Sequence, residues 1–338
     1  MTQEAALEEA LSRPTPAVVE AMAVLPGDIM LLGAGGKMGP SLARLARRAS
    51  DQAGIRRRVI AVARFSEAGL RAGLEADGVE TIACDLFDRV QLAELPDAPN
   101  LVYMAGQKFG TTGAPAMTWA MNTVIPANCA ERYEHSRIVA FSTGNVYALT
   151  PAASSGSTES DAPGPVGEYA ASCVGRERIF ELYAERAGTR VAIFRLNYAI
   201  DLRYGVLVDI ATRVKNGDPV SVDMGYVNVI WQGDANRIAI ECLSRADNPP
   251  FIVNVTGAER LSVRSLAEWF ATRFGTRARI EGSERADALL SDTTLLRTTF
   301  APPEVGTNEM LEWVADWVDA GGPVLGKPTK FEARDGKF

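Results

Sequence analysis

The sequence predicts an α/β protein built on a doubly wound parallel sheet with a smaller C-terminal α/β lobe. Three observations predict it. Short apolar runs alternate with amphipathic helical stretches through the first two-thirds of the chain, the mark of parallel strands buried on both faces and crossed by helices. A glycine-rich turn directly follows the first apolar run and opens a helix. The 338 residues are 47% hydrophobic and 23% charged, an ordinary globular balance with enough chain for a sizeable core.

Residues 1–27 read as a helical leader. A first helix is expected over 5–11, a second through residue 22 opened by Pro14, Thr15 and Pro16, and a turn at Pro26 and Gly27. The main domain is expected over 28–196. DIMLLG (28–33) is its first strand and PSLARLARRAS (40–50) its first helix. Further strands are expected at 58–63, 78–85, 100–106, 137–142 and 190–196, with helices at 119–133 and 168–187 between the later ones. Beyond Leu196 the segments shorten and Pro and Gly scatter. There a strand at 250–257 and helices at 262–275 and 308–322, both stopped by glycine, outline a lobe (197–322) interleaved with the core. The polar tail 323–338 is expected to wrap the surface or move. Trp231, Trp313 and Trp317 fall at packing spacings.

The formal net charge is −7, which gives no electrostatic reason to bind nucleic acid or an anionic membrane. No apolar run reaches the length of a membrane span, and the acidic start lacks a signal-peptide pattern, so a cytoplasmic protein is expected. The four cysteines, Cys84, Cys129, Cys173 and Cys242, are not in metal-ligand spacing, and the single histidine, His135, lies in an expected turn before a strand. No metal site and no Ser-His-Asp triad are expected.

GAGGKMG places Gly33, Gly36 and Gly39, with Lys37 and Met38 between, at the strand-to-helix turn. Glycines there permit a tight turn, close approach of a pyrophosphate and close helix packing, and the helix N-terminus favours the phosphates. This is the Rossmann arrangement for a nicotinamide dinucleotide. At the end of the second strand an acid would hold the ribose hydroxyls of NAD. Here Ala63 stands in its place and Arg64 follows, which favours the 2′-phosphate of NADP over NAD.

These motifs, in order, resemble the extended short-chain dehydrogenase/reductase family, the group that contains NAD-dependent epimerases and dehydratases. The resemblance covers about 28–319. CDLFD implies an adenine contact at Asp85 and Leu86. YMAGQ implies cofactor contacts at Met104, Ala105 and Gly106, MNTVIPANCAE at Asn122, and RLN at Asn197. FSTGNVY resembles the strand with the catalytic hydroxyl, here Thr143. EYAASCVGRERIFE resembles the YxxxK helix, which makes Tyr169 the proton-transfer group and a cofactor contact.

The family's lysine is replaced by Cys173. A phenol titrates near 10 and needs a cation beside it to work near neutral pH. Lys108, after the fourth strand, and Arg176, two helical turns past Tyr169, are the candidate replacements. Cys173 itself is either a small packed residue or a reactive thiolate. Lys108, Asn145 and Arg203 are candidate substrate contacts, as are Tyr204 and Arg237. Three functions remain open. One is an oxidoreductase, epimerase or dehydratase acting on a sugar-like polyhydroxylated molecule. The second is a degenerate regulator or sensor that binds NAD(P). The third is catalysis without net redox on a permanently held cofactor. The resemblance implies a homodimer through helices near 112–133 and 168–187.

Overall fold

The computed structural model describes residues 3–108, 113–327 and 329–337. Seven strands form one parallel sheet: β1 (Ile29–Leu32), β2 (Val59–Ala63), β3 (Glu80–Ala83), β4 (Asn100–Tyr103), β5 (Arg137–Thr143), β6 (Arg190–Leu196) and β7 (Phe251–Val255). Their spatial order is β7-β6-β5-β4-β1-β2-β3. The chain reverses direction of travel between β1 and β4, so a crevice opens at the C-terminal ends of those two strands, where open α/β sheets bind ligands.

The strands alternate their side chains between two apolar layers. Ile29, Leu31, Ala61, Val102, Val139 and Phe194 face one layer, covered by α2 (Pro16–Val24), α3 (Gly39–Gln52) and, further along the chain, Gln232–Glu241. Met30, Leu32, Ile60, Val62, Leu101 and Ile193 face the other. Four α-helices lie between β2 and β5: α4 (Leu70–Ala76), α5 (Arg89–Glu94), α6 (Pro115–Trp119) and α7 (Ile125–Arg132). The long α8 (Gly167–Ala187) follows β5 and adds Phe180 and Ala184 to the second layer.

The helix expected at 119–133 is divided. A π-helical stretch, Ala120–Val124, joins α6 to α7. Pro126 has no N–H to give to the carbonyl four residues back, and a widened turn accommodates the loss.

The lobe is built from α9 (Val206–Asn216), α11 (Val263–Phe274) and α13 (Thr307–Asp319), with short strand pairs between them, whereas α12 (Thr294–Thr299) packs on β7 in the sheet core. Helix α10 (Gln232–Glu241) and strand β7 return to the main sheet, so lobe and core share one stretch of chain. Trp231 and Trp313 meet edge to face at 5.2 Å, and Trp317 is buried. All three tryptophans therefore pack the lobe.

The leader joins the two halves. Helix α1 (Gln3–Ser12) buries Leu7 and Leu11 in the lobe core, whereas α2 buries Val18 and Met22 in the sheet core. Thr15 caps α2 through a bond from the Val18 N–H. The tail is more ordered than its polarity suggests: Phe331 lies in the lobe core and the Thr329 N–H donates to Asp209. No helix among the described residues is long and apolar enough to cross a membrane.

Candidate active site

The glycine turn is built for a close approach. Gly33 adopts φ +91°, and a Cβ on it would stand 2.6 Å from the Ala105 backbone nitrogen. A Cβ on Gly39 would stand 2.2 Å from the Ala34 carbonyl oxygen, so this glycine lets α3 start against the strand. Gly36 has no such neighbour; a Cβ there would make only ordinary contact. The absent side chain at Gly36 therefore leaves room on the ligand side, and the start of α3 faces that room.

The turn forms one wall of a cleft of about 850 Å³. The opposite wall carries Thr143 at the end of β5 and Tyr169 in the first turn of α8. The Thr143 hydroxyl accepts from the Asn145 backbone N–H at 3.2 Å and from its side-chain amide at 3.0 Å. The Tyr169 phenol lines the same wall. Burial pushes the phenol well above its ordinary range, as does Cys173, while Arg176 and Thr143 pull it down. Cys173 is fully buried, and desolvation raises its thiol above the usual value. It is a packed residue beside the phenol, not a thiolate.

Two cations lie near position 173. Arg176, buried one turn below, donates to the Phe141 carbonyl at 2.8 Å and to the Asn122 side-chain oxygen. Asn122 in turn grips Gln107 in both directions, accepting from its N–H at 3.0 Å and donating to its carbonyl at 3.1 Å, and donates to Ser172 at 2.9 Å. This clamp fixes the chain after β4 and delivers Lys108 into the cleft. Burial pulls the Lys108 amine down to about 8, and Cys173 lies within its electrostatic reach.

Beneath the site runs a second network. Glu177 and Arg195 form a buried ion pair at 2.7 Å. Ser142 donates to Glu177 at 2.5 Å, Arg195 donates to the Tyr147 hydroxyl at 2.6 Å, and Tyr147 donates to Asn254 at 2.8 Å. It ties the ends of β5, β6 and β7 to α8 and so holds Thr143 against Tyr169.

Comparisons with known proteins identify the family and the fold. The family model described as the NAD dependent epimerase/dehydratase family matches residues 29–201, just over half of the chain. The chain belongs to this epimerase/dehydratase family. Its members are enzymes that use a nicotinamide dinucleotide. No curated protein matches. Among solved structures, the chain is similar to the UDP-glucose 4-epimerase of Thermotoga maritima with UDP-glucose, at 16% identity and TM-score 0.70, covering 87% of this chain and 99% of that one. The UDP-glucose 4-epimerase of Thermus thermophilus with NAD gives 20%, 0.68, 86% and 98%. The UDP-glucuronic acid 4-epimerase of Bacillus cereus with UDP-glucuronic acid and NAD gives 16%, 0.70, 87% and 99%. At these identities the likeness is one of fold.

The cleft brings together most of the residues expected for an epimerase/dehydratase site: Gly33, Gly36, Lys37, Met38, Met104, Gly106, Lys108, Thr143, Asn145, Tyr169, Asn197 and Arg203. Six stand apart from its lining. Gly39 and Ala105 serve backbone packing, and Asn122 spends its amide on the clamp. Leu86 is buried in the second apolar layer. Asp85 turns its carboxylate to the Phe87 N–H at 3.0 Å, and Arg64 is exposed at the end of β2; both lie at strand ends beyond the cleft. Arg237 is structural, since it is buried and bonded to Glu241, Asp234 and the carbonyls of Ala301 and Pro302. His135 is exposed beside Glu134, and no group of metal ligands exists among the described residues.

Sequence reasoning expected Lys37 at the cofactor turn but not where its side chain goes, and it missed three contributors beside it. The Lys37 side chain leaves the glycine turn, donates to the Ala199 carbonyl at 3.2 Å and sits 4.2 Å over the Tyr204 ring. Tyr198 lines the same end of the cleft, and so do Leu325, Lys327 and Thr329 of the tail and Glu4 and Glu8 of α1. Polarity and sequence distance conceal segments that reach a site only through tertiary packing.

Proposed function

We propose that this epimerase/dehydratase family member acts on a sugar or another polyhydroxylated small molecule, with Tyr169 as the group that moves a proton. The observation that carries this reading is that Tyr169 and Thr143 line one cleft with the glycine turn. The bound nicotinamide supplies the hydride acceptor and donor. Gly33, Gly36 and the start of α3 suit the pyrophosphate, and Met104, Gly106 and Asn197 line the path towards Tyr169. Thr143 holds the reacting oxygen. Tyr169 takes its proton as the carbon is oxidised and returns it when the hydride comes back.

Lys108 and Arg176 stand in for the lysine that Cys173 replaces. Arg176 is a fixed charge that favours the phenolate. Lys108, at about 8, is the mobile one and faces the same pocket. Arg64, in the place where an acid would select NAD, supports NADP as the preferred cofactor, whereas the Thermus and Bacillus cereus relatives hold NAD. Met117, Trp119, Val124, Val166 and Leu182 are exposed on or beside α6, its π-helical extension and α8. This apolar face supports a homodimer, in the cytoplasm.

The test is Tyr169→Phe. Hydride exchange with sugars and sugar acids is expected to fall by about a thousandfold, within the range ascribed to a positioned acid or base, while calorimetric affinity for NAD+ and NADP+ stays within about twofold. Retained turnover refutes the role of Tyr169. Cofactor binding by the parent protein with no hydride exchange on any substrate would leave a nucleotide-binding sensor, the reading that Cys173 alone favours.

A further inference from the structure

The far end of the cleft, away from the glycine turn, is assembled from segments outside the family match at 29–201. Helix α1 reaches it through Glu8, which accepts from Arg203 at 2.7 Å and from Arg44 at 2.9 Å. The tail closes it from the other side. The Leu325 N–H donates to the Arg203 carbonyl at 2.9 Å, and Thr329 bonds Asp209 through both its N–H at 2.7 Å and its hydroxyl at 2.6 Å. Phe331 anchors this strap in the lobe core, and Ala333 packs on the cluster that holds Tyr169 and Cys173.

We propose that this chamber takes a small polyhydroxylated acid, its carboxylate or phosphate ester held by the Lys37 ammonium with Lys108 and Arg203 nearby, and not a sugar carried on a nucleotide. The inference rests on the Tyr169 reading above, because it names the substrate class of that same site.

Charge and space both support it. An ammonium has three N–H donors, and Lys37 meets one carbonyl oxygen and one aromatic face. Burial pulls it down to about 8, with repulsion from Arg203 and Lys108 contributing and attraction from Asp201 and Asp209 opposing. An anion placed among them relieves both costs. The acidic groups at this end are already engaged. Asp201 binds Arg203 at 2.9 Å, Glu8 is shared by Arg44 and Arg203, and Asp209 takes the Thr329 bonds. Glu4 is exposed at the mouth. The cleft of about 850 Å³ lies within the range of sites that hold one drug-sized ligand. The strap and α1 border the end of the cleft where Lys37 lies, and a monosaccharide-sized acid presents its one anionic group to that end.

The experiment is calorimetry on the protein saturated with its preferred dinucleotide. The probes are D-gluconate, D-glucuronate, glucose 6-phosphate, D-glucose, UDP-glucose and UDP-glucuronate. At least one free acid is expected to bind about tenfold more tightly than D-glucose, the worth of one charge-assisted hydrogen bond, and both UDP-sugars more weakly than that acid. Gluconate against glucose 6-phosphate distinguishes a carboxylate from a phosphate. Lys37→Met is expected to erase the preference for acid, and Lys37→Arg to keep it, with dinucleotide affinity within about threefold in both. Binding by none of the acids, tighter binding of a UDP-sugar, or an acid preference that survives Lys37→Met overturns the inference. So does a tenfold loss of dinucleotide affinity in Lys37→Met, which would assign the ammonium to the cofactor's phosphates. Because the readout is binding, it also separates the two readings. Selective acid binding that persists in Tyr169→Phe upholds the chamber even where hydride transfer fails, and turnover of a UDP-sugar upholds Tyr169 while sinking the chamber.

Discussion

Gly106→Ala tests the clamp formed by Arg176, Asn122 and Gln107. Gly106 sits where β4 ends, and a Cβ there would stand 2.3 Å from the Arg176 Nη2 and 2.9 Å from the Asn122 Oδ1. The nearest atom is the end of a long side chain, so the collision itself can be relieved by a swing of Arg176. The cost lies in what that swing breaks. Arg176 is buried and bonded to Asn122 and to the Phe141 carbonyl, and a hydrogen bond to a charged group contributes about 1.5–3 kcal/mol. Losing the Asn122 bond alone gives a destabilisation of about 2 kcal/mol, and the disturbed grip of Asn122 on Gln107 adds to it. Urea denaturation followed by fluorescence reads this as a lower midpoint at unchanged slope. In an Arg176→Met background the same alanine meets no guanidinium, so its cost is expected to fall below about 1 kcal/mol, a coupling typical of residues in contact. A parent-like midpoint for Gly106→Ala, or an equal cost in both backgrounds, refutes the reasoning.

Three further outcomes are expected. Lys108→Met should lower the rate of hydride transfer at least tenfold. Adding Cys173→Lys should restore part of it, because a lysine one helical turn past Tyr169 reaches the same phenol; kcat with dinucleotide affinity as control measures both, and no rescue argues against Lys108 as the replacement cation. Glu177→Gln leaves the buried Arg195 without its counter-ion and should cost about 3–5 kcal/mol, read as a fall in the thermal midpoint. Binding of an acidic sugar should weaken as pH rises from 7 to 9.5. Lys37 and Lys108 both lose their protons near 8, and only the charged form attracts an anion. Around them Arg203 keeps its charge through its bonds to Asp201 and Glu8, so the lysines set the sign. Affinity for D-gluconate that is flat across this window contradicts the assignment.

The local pattern of the chain determined the sheet and its nucleotide turn. Continuous apolar runs such as 28–33 and 190–196 can be satisfied only by burial on both faces, which requires helices on both sides and right-handed crossovers. Gly33 and Gly39 state a backbone requirement that no other residue meets, Gly36 leaves room beside them, and a phenol two positions into a helix is readable as Tyr169 without coordinates. These signals are local, so they survive in one dimension. Tertiary structure decided the rest. Which cation replaces the lysine depends on Asn122 and Gln107 meeting across the gap between β4 and the π-helical stretch, fifteen residues apart in the chain. Where Lys37 points depends on Tyr204 and Ala199 arriving from beyond β6. The walls of the far chamber come from both ends of the chain, held by Glu8 and Thr329. Polar segments carry no periodic signal of burial, and a charge's partners are chosen by proximity in the fold, a quantity that sequence spacing does not record.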